Sequence, residues 1–154
     1  MSVREATAAD FPRLLELVRQ FHATSVHGCM PFSEERAGGM VNACIHDPMM
    51  CAFVWEREPG QIAGLYLGRV GPWWHTEELA AFDIAFYIDP AARGGWGARP
   101  LFKAFRDWAK SRGARTIWPG TSSGINVERA ARFYLSQRVE KIGDVFFGRL
   151  DGET

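Results

Sequence analysis

Residues 82–103 read as a strand, a glycine-rich loop and a helix start in direct succession. The apolar run Phe82–Ile88 enters an Asp89–Pro90 turn, and after a basic loop the apolar residues of Leu101–Ala109 recur at helical spacing. Glycines let backbone N–H groups turn toward one point, and the first turn of a helix leaves its N–H groups unpaired. This stretch therefore predicts a mixed α/β fold with an anion site, such as a phosphate site, in the loop.

Pro100 fixes where that helix begins. Proline is tolerated in a first helical turn but not deeper, so the helix should start near residues 97–100, which leaves the N–H groups of residues 94–99 free. Arg93 and Arg99 bracket the loop and can add charge-assisted contacts to phosphate. The alternative is an ordinary strand-to-helix connection with glycines at a tight turn.

The loop also carries a family resemblance. Its sequence, Ile88-x-Pro90-x-x-Arg93-Gly94-Gly95-Trp96-Gly97-Ala98, resembles V-x-P-x-x-R-G-x-G-x-G/A, the acetyl-coenzyme A pyrophosphate loop of the GNAT N-acetyltransferase superfamily. With Arg93 first, Trp96 replaces a glycine of R-x-x-G-x-G/A, whereas sliding the pattern back one residue puts Ala92 on the basic position; we favour Arg93 first. The resemblance implies that coenzyme A contacts Tyr87, Ile88, Arg93, Gly94, Gly95, Trp96, Gly97, Ala98, Arg99 and Asn126.

The order of elements predicts the fold class. Hairpin and crossover connections alternate along the chain, which indicates a mixed sheet with helices on both faces. The expected strands are Ser2–Ala6, Met49–Trp55, Gln61–Val70, Leu79–Ile88, Arg115–Trp118 and Val139–Leu150. The expected helices begin near Phe11, Ser33, Gly97 and Val127. This order also resembles GNAT proteins, so we expect one α+β domain over residues 1–154, with a mostly antiparallel, mixed sheet of six to seven strands and about four helices.

A second segment extends the resemblance. The segment Asn126-Val127-Glu128-Arg129-Ala130-Ala131-Arg132-Phe133-Tyr134-Leu135 resembles the family segment N-x-x-A-x-x-F-Y. The resemblance implies that Asn126 lies near the pantetheine arm and Tyr134 near the thioester sulfur. The plainer alternative makes Asn126 a helix N-cap and Tyr134 a core aromatic residue.

The chemistry implied is the attack of an amine on a thioester. A phenol with a pKa of about 10 stays protonated at neutral pH, so Tyr134 can donate to a leaving thiolate. The resemblance places the backbone N–H that would stabilise the oxyanion within residues 86–88. The best candidate general base is Asp83, which strict alternation puts on one strand face with Ala85 and Tyr87.

Other assignments remain open for the acidic and aromatic residues nearby. Asp83 can instead pair with an arginine or lie at a strand edge. His75, Glu77 and Glu78 are weaker candidates for the base, acting through water. Trp73 and Trp74 either wall the acceptor site or, more commonly, pack onto the protein.

Composition limits the possible partners. Lys+Arg and Asp+Glu both number 18, and no basic run of the kind that follows a nucleic-acid backbone is present, so we expect no nucleic-acid partner. No apolar run is long enough to span a membrane, and Met1–Glu5 does not resemble a signal peptide. Three cysteines without C-x-x-C spacing favour free thiols in a reducing compartment. We therefore expect a cytoplasmic protein without a membrane partner.

The sequence also contains partial motifs for a serine-hydrolase site and for a metal site. Gly120–Gly124 matches G-x-S-x-G around Ser122, but all four histidines precede that serine, whereas the hydrolase order requires one after it. His22, His27 and Cys29 lack a fourth ligand at a usable spacing, so no metal site is expected.

The sequence thus predicts an acyltransferase, a GNAT-type N-acetyltransferase using acetyl-coenzyme A as cosubstrate. The acetyl group would pass directly to a primary amine in a ternary complex. The amine belongs to a small molecule or a protein, and a homodimer is the family habit. The alternatives are a catalytically silent protein of the same fold that binds coenzyme A or a partner and, more remotely, a serine hydrolase using Ser122.

Overall fold

The sheet is built around its two most buried strands. The computed structural model describes residues 1–94 and 96–151, in which five strands form one sheet in chain order. These strands are β1 (Ser2–Glu5), β2 (Met50–Glu56), β3 (Ile62–Pro72), β4 (Leu79–Ile88) and β5 (Thr116–Trp118). The pairings from β1 to β4 are antiparallel and β4 pairs with β5 in parallel. β2 and β3 are buried almost throughout because helices cover both of their faces.

Four α-helices within the described residues cover the sheet. They are α1 (Phe11–Thr24), α2 (Glu34–His46), α3 (Ala98–Ser111) and α4 (Val127–Ser136), with short 3-10 segments at Ala8–Asp10, Val26–Cys29 and Pro90–Ala92. No helix in residues 1–94 or 96–151 combines the length and apolarity needed to cross a bilayer. The mixed α/β character and the helix count agree with the sequence-based prediction.

The two faces of the sheet differ in the side chains that they bury. We call the side covered by α1 and α2 the aliphatic face; its fully buried side chains are Leu14, Leu17, Val41, Cys44, Val54, Leu65 and Leu67. We call the side covered by α3 and α4 the aromatic face; its buried side chains include Phe53, Trp55, Tyr66, Phe102, Phe105, Trp108 and Tyr134. On α3, the buried residues are the apolar stripe that the sequence spacing predicts.

The predicted sixth strand is not formed. Residues 139–150 contain no strand, and the side chains of Ile142, Val145 and Phe146 are largely exposed. A strand requires a neighbour to satisfy its backbone, and the three-residue β5 is paired with β4 only. The expectation of six to seven strands was therefore wrong for the described residues, where five are found.

A β-bulge in β4 decides which side chains reach the site. Leu67 pairs with Ala85 but Gly68 pairs with Asp83, so Ile84 is an extra residue on β4. A side chain at Gly68 would meet the Phe105 ring of α3 at 2.6 Å, which shows that this pair lies on the aromatic face. Asp83 therefore points to the aromatic face. The prediction that it shares a face with Ala85 and Tyr87 was wrong, because both of these pack on the aliphatic face.

Candidate active site

The site lies where β4 and β5 separate. These strands pair only from Ala80–Thr116 to Phe82–Trp118, and beyond Phe82 they diverge. The gap forms a cleft of about 440 Å³ that reaches both faces of the sheet. The residues lining it are Phe21, His27, Asp83, Ile84, Ala85, Phe86, Tyr87, Ile88, Arg93, Trp96, Ala98, Arg99, Gly120, Thr121, Ser122, Ser123, Ile125, Asn126, Arg129, Ala130, Phe133 and Tyr134.

Asp83 lies at the closed end of the cleft, one residue past the last β4–β5 pair. Its Oδ2 accepts a hydrogen bond from the Gly120 N–H at 3.2 Å. Burial raises the pKa of Asp83 to about 6, and the Gly120 hydrogen bond opposes this rise. Since no arginine pairs with Asp83 among the described residues, the ion-pair alternative finds no support there.

Tyr134 reaches the same end of the cleft from α4. Its side chain is buried and its ring packs edge-on to Phe102 at 5.6 Å. Burial raises the pKa of the Tyr134 phenol, and the negative charge of Asp83 raises it further. The second effect means that the two side chains, 51 positions apart by their numbers, lie within electrostatic reach of each other.

Tyr66 is a third ionisable group at this position, and it was missed by the sequence analysis. Its ring is fully buried and stacks on Phe105 with centroids 4.4 Å apart. Its hydroxyl has no hydrogen-bond partner within the described residues. Burial raises the pKa of Tyr66, followed by the charges of Asp83, Tyr134 and Cys51. The only signal in the sequence is a hydroxyl within a buried strand, which does not distinguish Tyr66 from an ordinary core aromatic residue.

The loop after β4 forms the open end of the cleft. Asp89 holds its entry, since its carboxylate accepts the Ala91 N–H at 3.0 Å and the Arg13 guanidinium at 3.1 Å. Gly94 follows with φ +87, a left-handed conformation that favours glycine, and no atom lies within 4 Å of the Cβ that another residue would carry there. Gly95 was predicted to bind coenzyme A but lies outside the described residues.

The rest of the loop leads into α3. A side chain at Gly97 would overlap the Trp55 indole, so Gly97 is required for close packing against β2. Ala98 begins α3 and Pro100 lies in its first turn, as predicted. In the described part of the chain, the N–H groups of Gly94, Trp96 and Gly97 have no acceptor. The loop therefore offers backbone donors next to the cleft, which its residues Arg93, Trp96 and Ala98 line.

The two arginines of the loop are held differently. Arg93 Nε donates to the Ile88 carbonyl at 3.1 Å, and its guanidinium lies 5.5 Å from the centroid of the Tyr87 ring. These contacts fix the stem of Arg93 and leave its terminal nitrogens without an acceptor among the described residues. Arg99 is exposed on the first turn of α3 and lines the same cleft.

The exposed edge of β4 supplies further donors. The Asp89 N–H donates to the Ala63 carbonyl. Asp89 and every second residue before it on β4 therefore direct their backbone N–H and C=O groups toward β3. By the same alternation, the N–H groups of Phe86 and Ile88 point away from β3, where β5 has diverged. Tyr87, in contrast, turns its ring to the aliphatic face and packs edge-on to Phe21 at 6.0 Å.

Asn126 is the residue before α4 and lines the cleft. Its φ of 44 is left-handed, a conformation in which asparagine is enriched, and its side chain makes no capping hydrogen bond. Asn126 therefore occupies the N-cap position that the plainer alternative gives it. Its side chain makes no capping hydrogen bond, and the residue lines the cleft.

The weaker candidates lie outside the cleft or lack partners. Trp73 packs against Phe82 and Trp118 at 4.8 and 5.1 Å, whereas Trp74 is 92% exposed. Neither of these two tryptophans lines the cleft, and the same holds for His75, Glu77 and Glu78. The Ser122 hydroxyl has no imidazole partner within residues 1–94 and 96–151, although His27 lines the same cleft. Those residues also contain no cluster of three side chains suited to a metal ion.

Comparison with known proteins assigns the family. The chain matches the acetyltransferase (GNAT) family over residues 11–137. It matches no curated protein. Many solved structures share the fold, and three of them illustrate the similarity. A tetramutant of the BH1408 protein from Bacillus halodurans has 21% identity and a TM-score of 0.77, covering 97% of this chain and 100% of its own.

The other two are named as acetyltransferases. A Trypanosoma brucei acetyltransferase has 16% identity and a TM-score of 0.72, covering 97% of this chain and 99% of its own. AAC(6')-Iy, in complex with the bisubstrate analogue CoA-S-monomethyl-acetylneamine, has 15% identity and a TM-score of 0.75, covering 96% of each chain. These identities show the shared fold alone, whereas the family match spans most of the sequence. The chain therefore belongs to the GNAT family of acetyltransferases and is an acyltransferase.

Proposed function

We propose that this protein is an N-acetyltransferase that moves an acetyl group from acetyl-coenzyme A directly to an amine. The observation that carries the proposal is that Asp83 and Tyr134 lie at the closed end of a cleft, while at its open end the N–H groups of Gly94, Trp96 and Gly97 have no acceptor among the described residues. A base and a proton donor thus lie at one end of the cleft, and an anion-binding loop lies at the other.

The residues present suit coenzyme A. The left-handed Gly94 leaves open space above the loop, and the N–H groups of Gly94, Trp96 and Gly97, which have no acceptor among the described residues, are suited to a diphosphate. Arg93 and Arg99 add positive charge at the same place. Coenzyme A, when bound, would supply the thioester carbonyl and the thiol leaving group.

Asp83 is suited to accept a proton from the amine. With its pKa raised to about 6 by burial, it is ionised at neutral pH and is a stronger base than an exposed carboxylate. A general base works best when its pKa lies near the working pH, which fits this position. The N–H groups of Phe86 and Ile88, which point into the gap, are the candidates for stabilising the oxyanion.

Tyr134 is suited to protonate the leaving thiolate. Burial keeps its phenol protonated, and a thiolate released into the same buried space would also gain basicity.

Direct transfer is supported by the protonation state of the buried cysteine thiols. Burial raises the pKa of Cys44 to about 12 and also raises that of Cys51, so neither is a ready nucleophile.

The charge of the cleft favours an acceptor with one positive charge. Asp83 is the single carboxylate among the described lining residues, against Arg93, Arg99 and Arg129. Arg93 and Arg99 are assigned to the diphosphate, so an acceptor with several amines, such as the aminoglycosides named for some structural neighbours, would meet Arg129 and a single carboxylate among the described lining residues, which leaves its further positive charges without an offset. We therefore propose a monoamine, either a small molecule or a protein amine.

The first experiment separates binding from turnover. Acetyl-coenzyme A at a hundredfold over its Kd should stabilise the protein by about 2.7 kcal/mol in a thermal shift assay. Thiol release should then appear with at least one member of a monoamine panel. Stabilisation without thiol release for any amine would favour the catalytically silent alternative.

Replacing Tyr134 tests the assigned acid. Tyr134→Phe removes one oxygen, so kcat should fall by about a hundred- to ten-thousandfold while the acetyl-coenzyme A thermal shift is retained. The retained shift serves as the folding control. An unchanged kcat would remove Tyr134 from the mechanism.

A further inference from the structure

Trp96 is an exposed aromatic side chain within the anion-binding loop. Its indole is 78% exposed, although its neighbour Gly97 is buried against Trp55. Trp96 lines the cleft together with Arg93 and Arg99, and it also lines a smaller groove of about 330 Å³ beside Arg93. The indole therefore lies at the rim that the cleft and this groove share.

Packing does not account for a tryptophan at this position. Trp55 and Trp108 are 2% and 8% exposed and belong to the core, whereas Trp96 contributes little burial. The loop pattern that this sequence resembles has glycine here, so the local backbone does not require a large side chain. An exposed apolar ring that lines the same cleft as Arg93 and Arg99 instead has the features of a stacking surface for a flat group attached to a phosphate.

We propose that Trp96 stacks on the adenine ring of the bound coenzyme A ester. This inference rests on the proposed function, because it assumes that the loop holds the diphosphate. The adenosine of coenzyme A is joined directly to that diphosphate, which places the base close to the rim where the Trp96 indole is exposed. The site would then favour free, nucleotide-bearing thioesters over a phosphopantetheine arm that lacks adenosine.

The test compares coenzyme A with 4′-phosphopantetheine, which lacks the whole 3′-phosphoadenylyl group and therefore the adenine ring. The Kd values of coenzyme A and of 4′-phosphopantetheine are measured by calorimetry for the wild type, Trp96→Ala and Trp96→Phe. Trp96→Ala should weaken coenzyme A binding by roughly 5- to 150-fold, the range expected for loss of one base–aromatic stack. It should leave 4′-phosphopantetheine binding within about twofold, and Trp96→Phe should keep most of the coenzyme A affinity because a smaller aromatic ring still stacks.

Trp74→Ala is the matched control, because Trp74 is also an exposed tryptophan but lines neither the cleft nor the groove beside Arg93. It should change neither Kd. Equal weakening of both ligands by Trp96→Ala would show that the side chain shapes the loop, and no weakening would show that it has no role; either result overturns the inference. If the wild type binds neither ligand, the proposed function itself fails.

Discussion

The aliphatic and aromatic faces of the sheet bury side chains of different chemistry. On the aliphatic face, Leu14, Leu17 and Val41 are fully buried. On the aromatic face, Asp83 lies close enough to Tyr66 and Tyr134 for its charge to add to the rise that burial causes in the pKa of both phenols.

This difference assigns the stability of the fold and the reactive groups to different faces of the sheet. Apolar burial on the aliphatic face stabilises the fold without further conditions. A carboxylate and two phenols in a low-dielectric position each oppose folding unless they are paired, and here one phenol has no partner among the described residues. The aromatic face therefore carries the reactive groups, and the aliphatic face supports the strand that presents them.

The largest expected effect is on Asp83, which tests whether the aromatic face is optimised for reaction. Asp83→Asn should lower kcat by about a hundred- to ten-thousandfold because the general base is lost. The wild-type kcat/KM should rise with pH through a midpoint near 6, the pKa of this carboxyl group. This rise should be absent in the variant.

The same substitution should stabilise the protein at neutral pH. The carboxyl has a pKa of about 6 when folded and 3.8 as its reference value, so the folded state binds its proton more tightly. The penalty for burying the charged form is therefore absent below pH 3.8, grows as pH rises to 6 and is full above it. Denaturant unfolding at pH 8 should show Asp83→Asn more stable by up to about 3 kcal/mol, and at pH 3.5 the difference should vanish.

Asp107→Asn is the control, since Asp107 is an exposed carboxylate of α3 paired with Lys103. It should leave both activity and the pH dependence of stability unchanged. An Asp83→Asn protein that is less stable than the wild type at pH 8 would contradict the assignment of a stability penalty to this carboxylate.

Leu17 tests the other face. Leu17→Ala on α1 should lower the free energy of unfolding by about 2–5 kcal/mol, because the side chain is fully buried and leaves a cavity. The kcat of the folded fraction should stay near that of the wild type. Leu135→Ala on α4, where the side chain is 55% exposed, should change stability by less than about 0.5 kcal/mol. A large loss of kcat in folded Leu17→Ala would break the separation between the two faces.

The smallest expected effect concerns Tyr66. Tyr66→Phe removes a buried hydroxyl without a partner, so the protein should become more stable by about 1 kcal/mol. Urea unfolding of the variant and the wild type side by side measures this change. Destabilisation would show that the Tyr66 hydroxyl forms a hydrogen bond with a neighbour in solution, so that the aromatic face does not leave it without a partner.

Local patterns in the sequence were enough to predict the elements themselves. β4 was predicted over Leu79–Ile88 and has those bounds. The apolar residues of α3 predicted from their spacing are buried, and the helix starts at Ala98 as Pro100 indicated. These features depend on periodicity and on first-turn proline, both of which are properties of a few consecutive residues.

Features that depend on a distant partner were not predictable. The bulge at Ile84 arises from the register with β3, where Gly68 makes room for Phe105. The place of Tyr66 beside Asp83 follows from that bulge. Residues 139–150 were wrongly predicted as a strand, because an apolar composition does not reveal whether a neighbouring strand is available to pair with them.

The extra residue Ile84 has a consequence for reading any related sequence. It divides β4 into two halves: in one half the even-numbered residues lie on the aromatic face, and in the other the odd-numbered residues do. The face of a residue near Ile88 must therefore be worked out from the loop, and the face of Asp83 from the hairpin before β4. A related protein that keeps the same spacing from the aspartate to the loop but has a regular strand without the bulge would turn that aspartate toward α1, away from Tyr134.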